Sequence, residues 1–183
     1  MKNLASQYFI KAKENYQYAI DEALEALNYA LSYDNEHAGA HCLMARYYSD
    51  YELNYDEAVY HFQQSLKYDV NYNETYYFYI DLLLKISEFK KAKNLINFAK
   101  NVKGVCMSCI IQREALLSEK LNNLKKAKQL LKLAIAISTI NGEIHFLNSE
   151  LVRVKNKVKA IKKLSKKDKT KESKEMKIVY KYK

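Results

Sequence analysis

Apolar and polar positions alternate along this chain with a helical period, and one arrangement of them returns four times. An aromatic or aliphatic residue, two charged residues and an alanine stand together, and the alanines are Ala23, Ala58, Ala92 and Ala127. Their separations are 35, 34 and 35 residues. Each alanine is followed four positions later by a bulky residue and seven positions later by a small one. Because these spacings fall on one face of a helix, the pattern predicts stacked helix pairs.

The hydrophobic pattern also predicts where the individual helices lie. The predicted segments are 4–16, 20–33, 38–50, 54–70, 73–86, 88–101, 106–120, 124–138 and a last helix that begins near Glu143. No Gly, Pro or clear cap separates the first two segments, so they form either a hairpin or one long helix; the repeat register favours a break near 17–19.

Polar residues and glycines between these segments predict the turns. Asn54 with Glu57 three residues later predicts a capped helix start. Ser87 is predicted to cap the sixth helix, and Gly104 is predicted to adopt a left-handed conformation after it. Asn141-Gly142 is predicted to form the turn before the last helix.

Composition supports an all-α fold. The 183 residues include no proline and only three glycines, which removes most helix breakers and most hairpin-turn residues. A hydrophobic content of 49% with 13% aromatic residues argues against wholesale disorder. The length suits one domain with a continuous core.

The repeat resembles the tetratricopeptide repeat family, and the clearest match is 54–69 with its Tyr-Asp-Glu-Ala opening and its Leu-Lys-Tyr-Asp end. The resemblance implies a right-handed superhelix, an α-solenoid, of about four helix-turn-helix units over 4–141 and a capping helix at 142–164. Ala45 and Ala115 fit the small-residue column of the first helices, whereas Lys11 and Ile80 depart from it. The usual closing proline is absent, and the second unit has one added residue before Asn54.

The resemblance further implies an inner groove, lined by the first helix of each unit, that takes an extended peptide or a partner helix. Projected onto this sequence, the groove residues are Tyr8, Ala12, Cys42, Arg46, Tyr77, Asp81, Gln112, Leu116, Phe146 and Glu150. Some members of the family clamp a C-terminal carboxylate with lysines and asparagines. The corresponding positions here do not carry those residues, so that ligand class is not expected.

Charge is unevenly distributed along the chain. Residues 155–183 hold 13 lysines and 3 acidic residues, which equals the net charge of +10 for the whole chain. Within the rest, residues 1–81 carry a charge of −8 and residues 82–154 a charge of +8. The domain is therefore expected at 1–164, followed by a Lys-rich disordered tail at 165–183. Such a tail attracts nucleic acid or an acidic surface, or it simply keeps the chain in solution.

Candidate chemistry is sparse. Cys106 and Cys109 form a CxxC, but a redox motif needs a βαβ setting and a zinc site needs two more ligands, so packing is the favoured interpretation. His37 and His41 are four apart but lack the glutamate of the known zinc helix motif. No phosphate loop, dinucleotide motif or serine elbow occurs. We expect no catalytic residues, no metal and no cofactor.

These observations favour a non-enzymatic protein-interaction scaffold that binds a peptide or helix of another protein. The alternative is a nucleic-acid or ribosome-associated adaptor that acts through the basic tail. The stripe Ile144–Leu164 has near-heptad spacing, which suits self-association. A cytoplasmic location is expected, because the first residues contain no secretory core and no run of about 20 apolar residues occurs.

Overall fold

A computed structural model describes the backbone of residues 2–179 and the side chains of residues 3–164. Within those ranges the chain forms nine α-helices, one π-helical turn and no β-strand. The helices are α1 (Lys2–Asn15), α2 (Ile20–Tyr33), α3 (Ala38–Tyr47), α4 (Tyr55–Tyr68), α5 (Asn73–Lys85), α6 (Phe89–Ala99), α7 (Met107–Lys120), α8 (Leu124–Ile137) and α9 (Asn141–Val179), and the π-helical turn is Tyr48–Glu52. The predicted all-α class is confirmed.

The chain divides into two compact units, Met1–Arg113 and Glu114–Lys183, and the boundary falls within α7. In the first unit, α1 packs against α2, α3 against α4 and α5 against α6, so that consecutive helices form three hairpins. In the second unit, α8 packs against α9.

The residues at the repeated positions of the sequence form the core between the helices. Ala23, Ala58, Ala92 and Ala127 are each 0% exposed. The bulky residues four positions later and the small residues seven positions later are buried as well; they are Leu27, Phe62, Ile96, Leu131, Ala30, Ser65, Ala99 and Ala134. A methyl group at the alanine positions lets two helices approach closely, and each bulky side chain then contributes about 1.5–3 kcal/mol by its burial.

The first predicted pair is a hairpin and not one long helix. α1 ends at Asn15 and α2 begins at Ile20. The carbonyl of Asn15 accepts hydrogen bonds from the N–H groups of Tyr18 and Ala19, at 3.0 and 2.8 Å. Tyr16 is buried directly after the helix ends, which anchors the turn to the core. The break lies where the repeat register predicts it.

The turn inside the second hairpin contains the added residue. In the turn between α5 and α6 and in the turn between α7 and α8, the N–H of the helix-capping residue bonds to a carbonyl five positions back, from Glu88 to Leu83 and from Asn123 to Ser118, both at 2.8 Å. In the second hairpin, Asn54 bonds six positions back to Tyr48, at 3.0 Å. The extra residue is therefore accommodated by the π-helical turn, and α3 ends at Tyr47 instead of the predicted Asp50.

The residue before each of these caps is left-handed. Leu53, Ser87 and Asn122 have φ angles of 54°, 64° and 59°. Asn tolerates this region, whereas a leucine there is uncommon. The prediction that Ser87 caps α6 is wrong, because its left-handed backbone places it in the turn and Glu88 is the cap.

Two predicted caps are confirmed and one predicted turn is wrong. Asn54 Oδ1 accepts the N–H of Glu57 at 3.3 Å, and Gly104 is left-handed with a φ of 81°. The turn predicted at Asn141-Gly142 is instead the first turn of α9. The cap lies upstream, where the Ser138 hydroxyl donates to Glu143 and the Ile140 carbonyl accepts the N–H of Ile144.

Helix α9 carries the stripe that was predicted at Ile144–Leu164. Leu147, Leu151 and Val154 are buried in the second unit, whereas Ile161 and Leu164 are 47% and 62% exposed. The start of the stripe thus packs within its own unit, and the prediction of self-association has no support beyond these exposed residues. The predicted tail at 165–183 lies outside the described side chains, so the division into domain and tail stays a prediction. Across the described residues, no helix is both long and apolar enough to cross a membrane.

Candidate functional site

A narrow, shallow cleft opens in the first unit among α1, α3 and the start of α5. These are the first helices of the three hairpins, and this is the side on which the resemblance places a groove. The cleft combines apolar walls with three charged groups. Its lining residues are Phe9, Lys13, Gly39, Cys42, Leu43, Arg46, Tyr72 and Glu74.

Gly39 allows α1 to approach α3 at the cleft. A Cβ atom built on Gly39 would lie 2.8 Å from Cζ of Phe9 and 3.2 Å from the Tyr72 hydroxyl. Both distances are shorter than ordinary carbon contacts, so any larger residue here pushes the Phe9 ring outward. The wall formed by Phe9 and Tyr72 therefore depends on glycine at this position.

Arg46 lies on α3 with its guanidinium over two aromatic rings. Its Cζ atom is 4.6 Å from the centroid of the Tyr16 ring and 4.1 Å from that of Phe78. The Nε atom is buried and has no hydrogen-bond partner. Among the described residues no carboxylate forms an ion pair with this guanidinium. The ring contacts hold its position and leave its hydrogen-bond donors available.

The other charged groups of the cleft are paired. Lys13 Nζ lies 3.0 Å from Glu74 Oε1, and both side chains are about half exposed. The Tyr72 hydroxyl donates to the other oxygen of Glu74 at 3.4 Å, and burial is the main cause that raises the pKa of Tyr72. Lys13 and Glu74 offset each other, so the lining carries one uncompensated positive charge, that of Arg46.

Cys42 forms part of the cleft wall and is only 2% exposed. Burial raises the pKa of its thiol to about 12. Since the thiolate is the nucleophile, this cysteine is unreactive at neutral pH. Its role in the cleft is that of a small apolar side chain.

The predicted groove residues of α1 and α3 relate to this cleft in different ways. Cys42 and Arg46 line it, whereas on α1 the lining residues are Phe9 and Lys13, each one position after a predicted residue. Tyr8 stacks on Tyr29 and Tyr33 of α2, at 5.1 and 5.7 Å, and Ala12 is fully buried. The cleft residues that sequence reasoning missed are Phe9, Lys13, Gly39, Leu43, Tyr72 and Glu74.

Tyr77 and Asp81 of α5 take part in a hydrogen-bond network around Arg113. Arg113 Nε donates to the Tyr77 carbonyl at 3.0 Å, and Nη2 donates to Asp81 at 2.6 Å. Nη1 donates to the Cys109 carbonyl, and the Tyr77 hydroxyl accepts the N–H of Cys106 at 2.8 Å. This network joins α5 to the start of α7, and it occupies the polar groups of both predicted groove residues.

The remaining predicted groove residues differ in exposure. Gln112 is half-buried in the first unit; in the second unit Leu116 and Glu150 are half-buried and Phe146 is 50% exposed. Glu150 accepts from Arg153 at 2.8 Å. The role of these ten positions in binding stays a prediction.

Arg153 also forms a two-pronged ion pair with Glu119 in the second unit. Its Nη1 and Nη2 atoms donate to both oxygens of Glu119, at 2.8 and 2.6 Å, and Lys157 Nζ adds a third bond at 3.0 Å. Glu119 is 7% exposed. Hydrogen bonds from Arg153 and then from Lys157 lower its pKa to about 2. This cluster joins α7 to α9 and has a structural role.

The histidines and the CxxC also have structural partners. Nδ1 of His37 accepts the N–H of Ala40 at 3.1 Å and so caps α3. His41 and His61 face each other with their Nδ1 atoms 2.9 Å apart. Sγ of Cys106 accepts the N–H of Cys109 at 3.4 Å, which caps the first turn of α7.

Comparison with known proteins identifies the fold and no family. No protein-family model and no curated protein matches this sequence. A solved structure described as "Functional Characterization of Pseudomonas Aeruginosa pilF" is similar, with a TM-score of 0.72 at 16% sequence identity. The match covers 85% of this chain and 70% of that chain. It supports a tetratricopeptide-like helical repeat fold.

Proposed function

We propose that this chain is a non-enzymatic scaffold that binds an extended peptide or a helix of a partner protein on the side formed by α1, α3 and α5. The observation that carries the proposal is the cleft itself. Helix-rich repeat proteins bind partners through the surfaces that their stacked units create, and this surface combines apolar walls with an unpaired cation. Such a mixture suits a peptide with one polar and several apolar anchors.

The side chains around the cleft are suited to protein recognition. Phe9 and Tyr72 supply aromatic contact area, and Arg46 supplies directional donors. Aromatic and arginine side chains contribute most of the binding energy at many protein interfaces. The neighbouring core is tightly packed, since Ala40, Ala45 and Ile80 are each 0% exposed, so the cleft is held on rigid helices.

A peptide-binding experiment with a matched pair of variants tests this proposal. A phage-displayed library of random 12-residue peptides is selected on the full chain, and the affinities of the selected peptides are measured by fluorescence anisotropy. Lys13→Trp fills the mouth of the cleft, and Lys11→Trp adds the same ring and removes the same charge two residues earlier, outside the lining.

We expect Lys13→Trp to weaken binding at least about tenfold, because lost apolar and polar contacts of about 1.4 kcal/mol correspond to that ratio. Lys11→Trp should bind as the wild type does. Equal binding by both variants would place the peptide site elsewhere and contradict the proposal, as would a library that yields no specific peptide.

A further inference from the structure

Arg46 is the one charged group of the cleft whose partner is missing among the described residues. Its Nε atom is buried without a hydrogen bond, and burial of an unsatisfied donor is costly. Two acidic residues of this region have other partners: Glu74, in the cleft lining, pairs with Lys13, and Asp50 accepts the Tyr16 hydroxyl at 3.5 Å. The two Nη atoms are not among the buried unsatisfied atoms, so a ligand acceptor reaches the guanidinium through its Nη groups.

We infer that Arg46 binds the carboxylate of an internal Asp or Glu side chain in the partner peptide, an inference that rests on the proposed function of the cleft. The guanidinium presents donors in a planar fork that matches the two oxygens of a carboxylate. Tyr16 and Phe78 hold the fork in place, so little side-chain entropy is lost on binding.

The charge of the cleft selects a carboxylate over a phosphate. The lining carries one uncompensated positive charge, and a carboxylate carries one negative charge. A phosphate group carries about 1.5 to 2 negative charges at neutral pH, and the excess would face Glu74 across the same cleft. The ligand that balances the charge is thus a single carboxylate.

The donor supply favours a side chain over a chain terminus. A terminal carboxylate is bound well where several cations converge on it, and in this cleft Arg46 is the one cation without an ion pair among the described residues, since Lys13 pairs with Glu74. An internal acidic residue also lets the peptide backbone continue on both sides of the cleft, so that its neighbours can use the apolar walls. The expected motif is an acidic residue flanked by apolar ones.

NMR of the arginine Nε–H groups tests this inference directly in the full chain. The probes are N-acetyl-glutamate amide, N-acetyl-glutamine amide, N-acetylalanine with its free terminal carboxylate, and blocked O-phosphoserine. We expect N-acetyl-glutamate amide to move the Arg46 resonance most. Arg113 is the internal control, because its Nε already donates to the Tyr77 carbonyl, and its resonance should stay unchanged.

Affinity measurements complete the test. Changing the acidic residue of a selected peptide from Glu to Gln should weaken its binding to the wild type about tenfold to 100-fold, as expected for a charge-assisted hydrogen bond. With Arg46→Gln the two peptides should bind equally, and with Arg46→Lys a partial preference for Glu should return. Circular dichroism melting checks that both variants are folded.

Three results would overturn the inference. One is an Arg46 resonance that no probe moves, another is a larger shift with N-acetylalanine or phosphoserine than with the blocked glutamate, and the third is equal wild-type binding of Glu and Gln peptides. If Lys13→Trp still blocks those peptides, the proposed function stands while this inference fails. A peptide that binds both tryptophan variants equally shows that the proposed function itself has failed.

Discussion

Two arginines of the first unit occupy comparable places and have opposite surroundings. Arg113, on α7, uses Nε, Nη1 and Nη2 in hydrogen bonds to Tyr77, Cys109 and Asp81. Arg46, on α3, has two aromatic rings beside it and a buried Nε without a partner, and within residues 3–164 no carboxylate pairs with it. The difference teaches that an arginine on such a helix can either hold the structure together or be available for a ligand. Which role it has depends on whether neighbouring groups already accept its hydrogen bonds.

Replacement of each arginine by leucine is the sharpest test of this comparison. Arg113→Leu leaves Asp81 without its partner and removes three hydrogen bonds, so we expect the free energy of unfolding to fall by about 2–3 kcal/mol. Arg46→Leu loses cation–π contacts and keeps apolar contact with both rings, so we expect a loss of about 1 kcal/mol or less. Urea unfolding followed by circular dichroism measures both. Equal losses would show that Arg46 is as structural as Arg113.

The His41–His61 pair extends the comparison to groups that titrate. His41 Nε2 lies 2.9 Å from the Asn35 carbonyl, which only accepts, so Nε2 carries the proton of the neutral ring. The His41 Nδ1 atom is then the acceptor, and His61 Nδ1–H donates to it. Like Arg113, this pair is satisfied internally. Protonation of His61 takes place at its other nitrogen, Nε2, and places a positive charge in a half-buried site beside His41.

We therefore expect stability to depend on pH through His61. Burial, and then the neighbouring His41, lowers the pKa of His61 to about 4 from the ordinary value of 6.5. Below pH 6.5 the unfolded ring takes up a proton that the folded ring refuses until about pH 4, so this contribution is complete above 6.5 and falls between 6.5 and 4. Allowing for the partial exposure of the ring, the loss is about 1–2 kcal/mol.

Urea midpoints at several pH values, compared with those of His61→Phe, isolate this contribution from that of the carboxylates. The variant retains an aromatic ring next to Tyr48 and Tyr60 and cannot take up a proton there. Its stability should decline less than that of the wild type over this range. Parallel curves for the two proteins would argue against a titrating pair.

The smallest expected effect concerns Leu53, in the hairpin that carries Arg46. Its replacement should change the stability of the protein and leave peptide binding unchanged. Leu53 is 57% exposed with a φ of 54°, so Leu53→Gly should remove backbone strain and raise the free energy of unfolding by about 0.5–1 kcal/mol. Peptide affinity should be unchanged, since Leu53 is outside the cleft. Leu121→Gly is the matched control: Leu121 is similarly exposed but has no positive φ, so this change should destabilise. A gain in both variants would contradict the strain argument.

The repeat pattern predicted the fold because the repeated residues are the ones that pack in the interior. A small residue every 34 or 35 positions is visible in the sequence, and all four alanines of that column are buried. The helix ends were predicted less well where side chains compete for the cap. Helix α9 begins at Asn141, two residues before the predicted Glu143, whose carboxylate accepts from the Ser138 hydroxyl. The cap of α6 is Glu88 instead of the predicted Ser87.

The cleft was only partly predictable, for reasons that lie in individual residues. On α3, Ala45 fixes the helical register, and the predicted Cys42 and Arg46 line the cleft. On α1, Lys11 stands at the position equivalent to Ala45, where the predicted repeat expects a small residue. Without a small residue there the alignment of α1 with the repeat was off by one, and the lining residues lie one position later. Partner choice across 30 or more residues, as between Arg113 and Asp81, leaves no local trace in the sequence.

The π-helical turn at Tyr48–Glu52 has a consequence for how this chain can change in length. One surplus residue there enlarges a hydrogen-bonded ring and leaves the inward side chains of α4 in phase, since Ala58, Phe62 and Ser65 all remain buried. The same insertion within α4 would rotate every following side chain by about 100° and turn the interior face towards water. Insertions and deletions between Tyr48 and Asn54 should therefore be tolerated where those inside the neighbouring helices are lethal to folding.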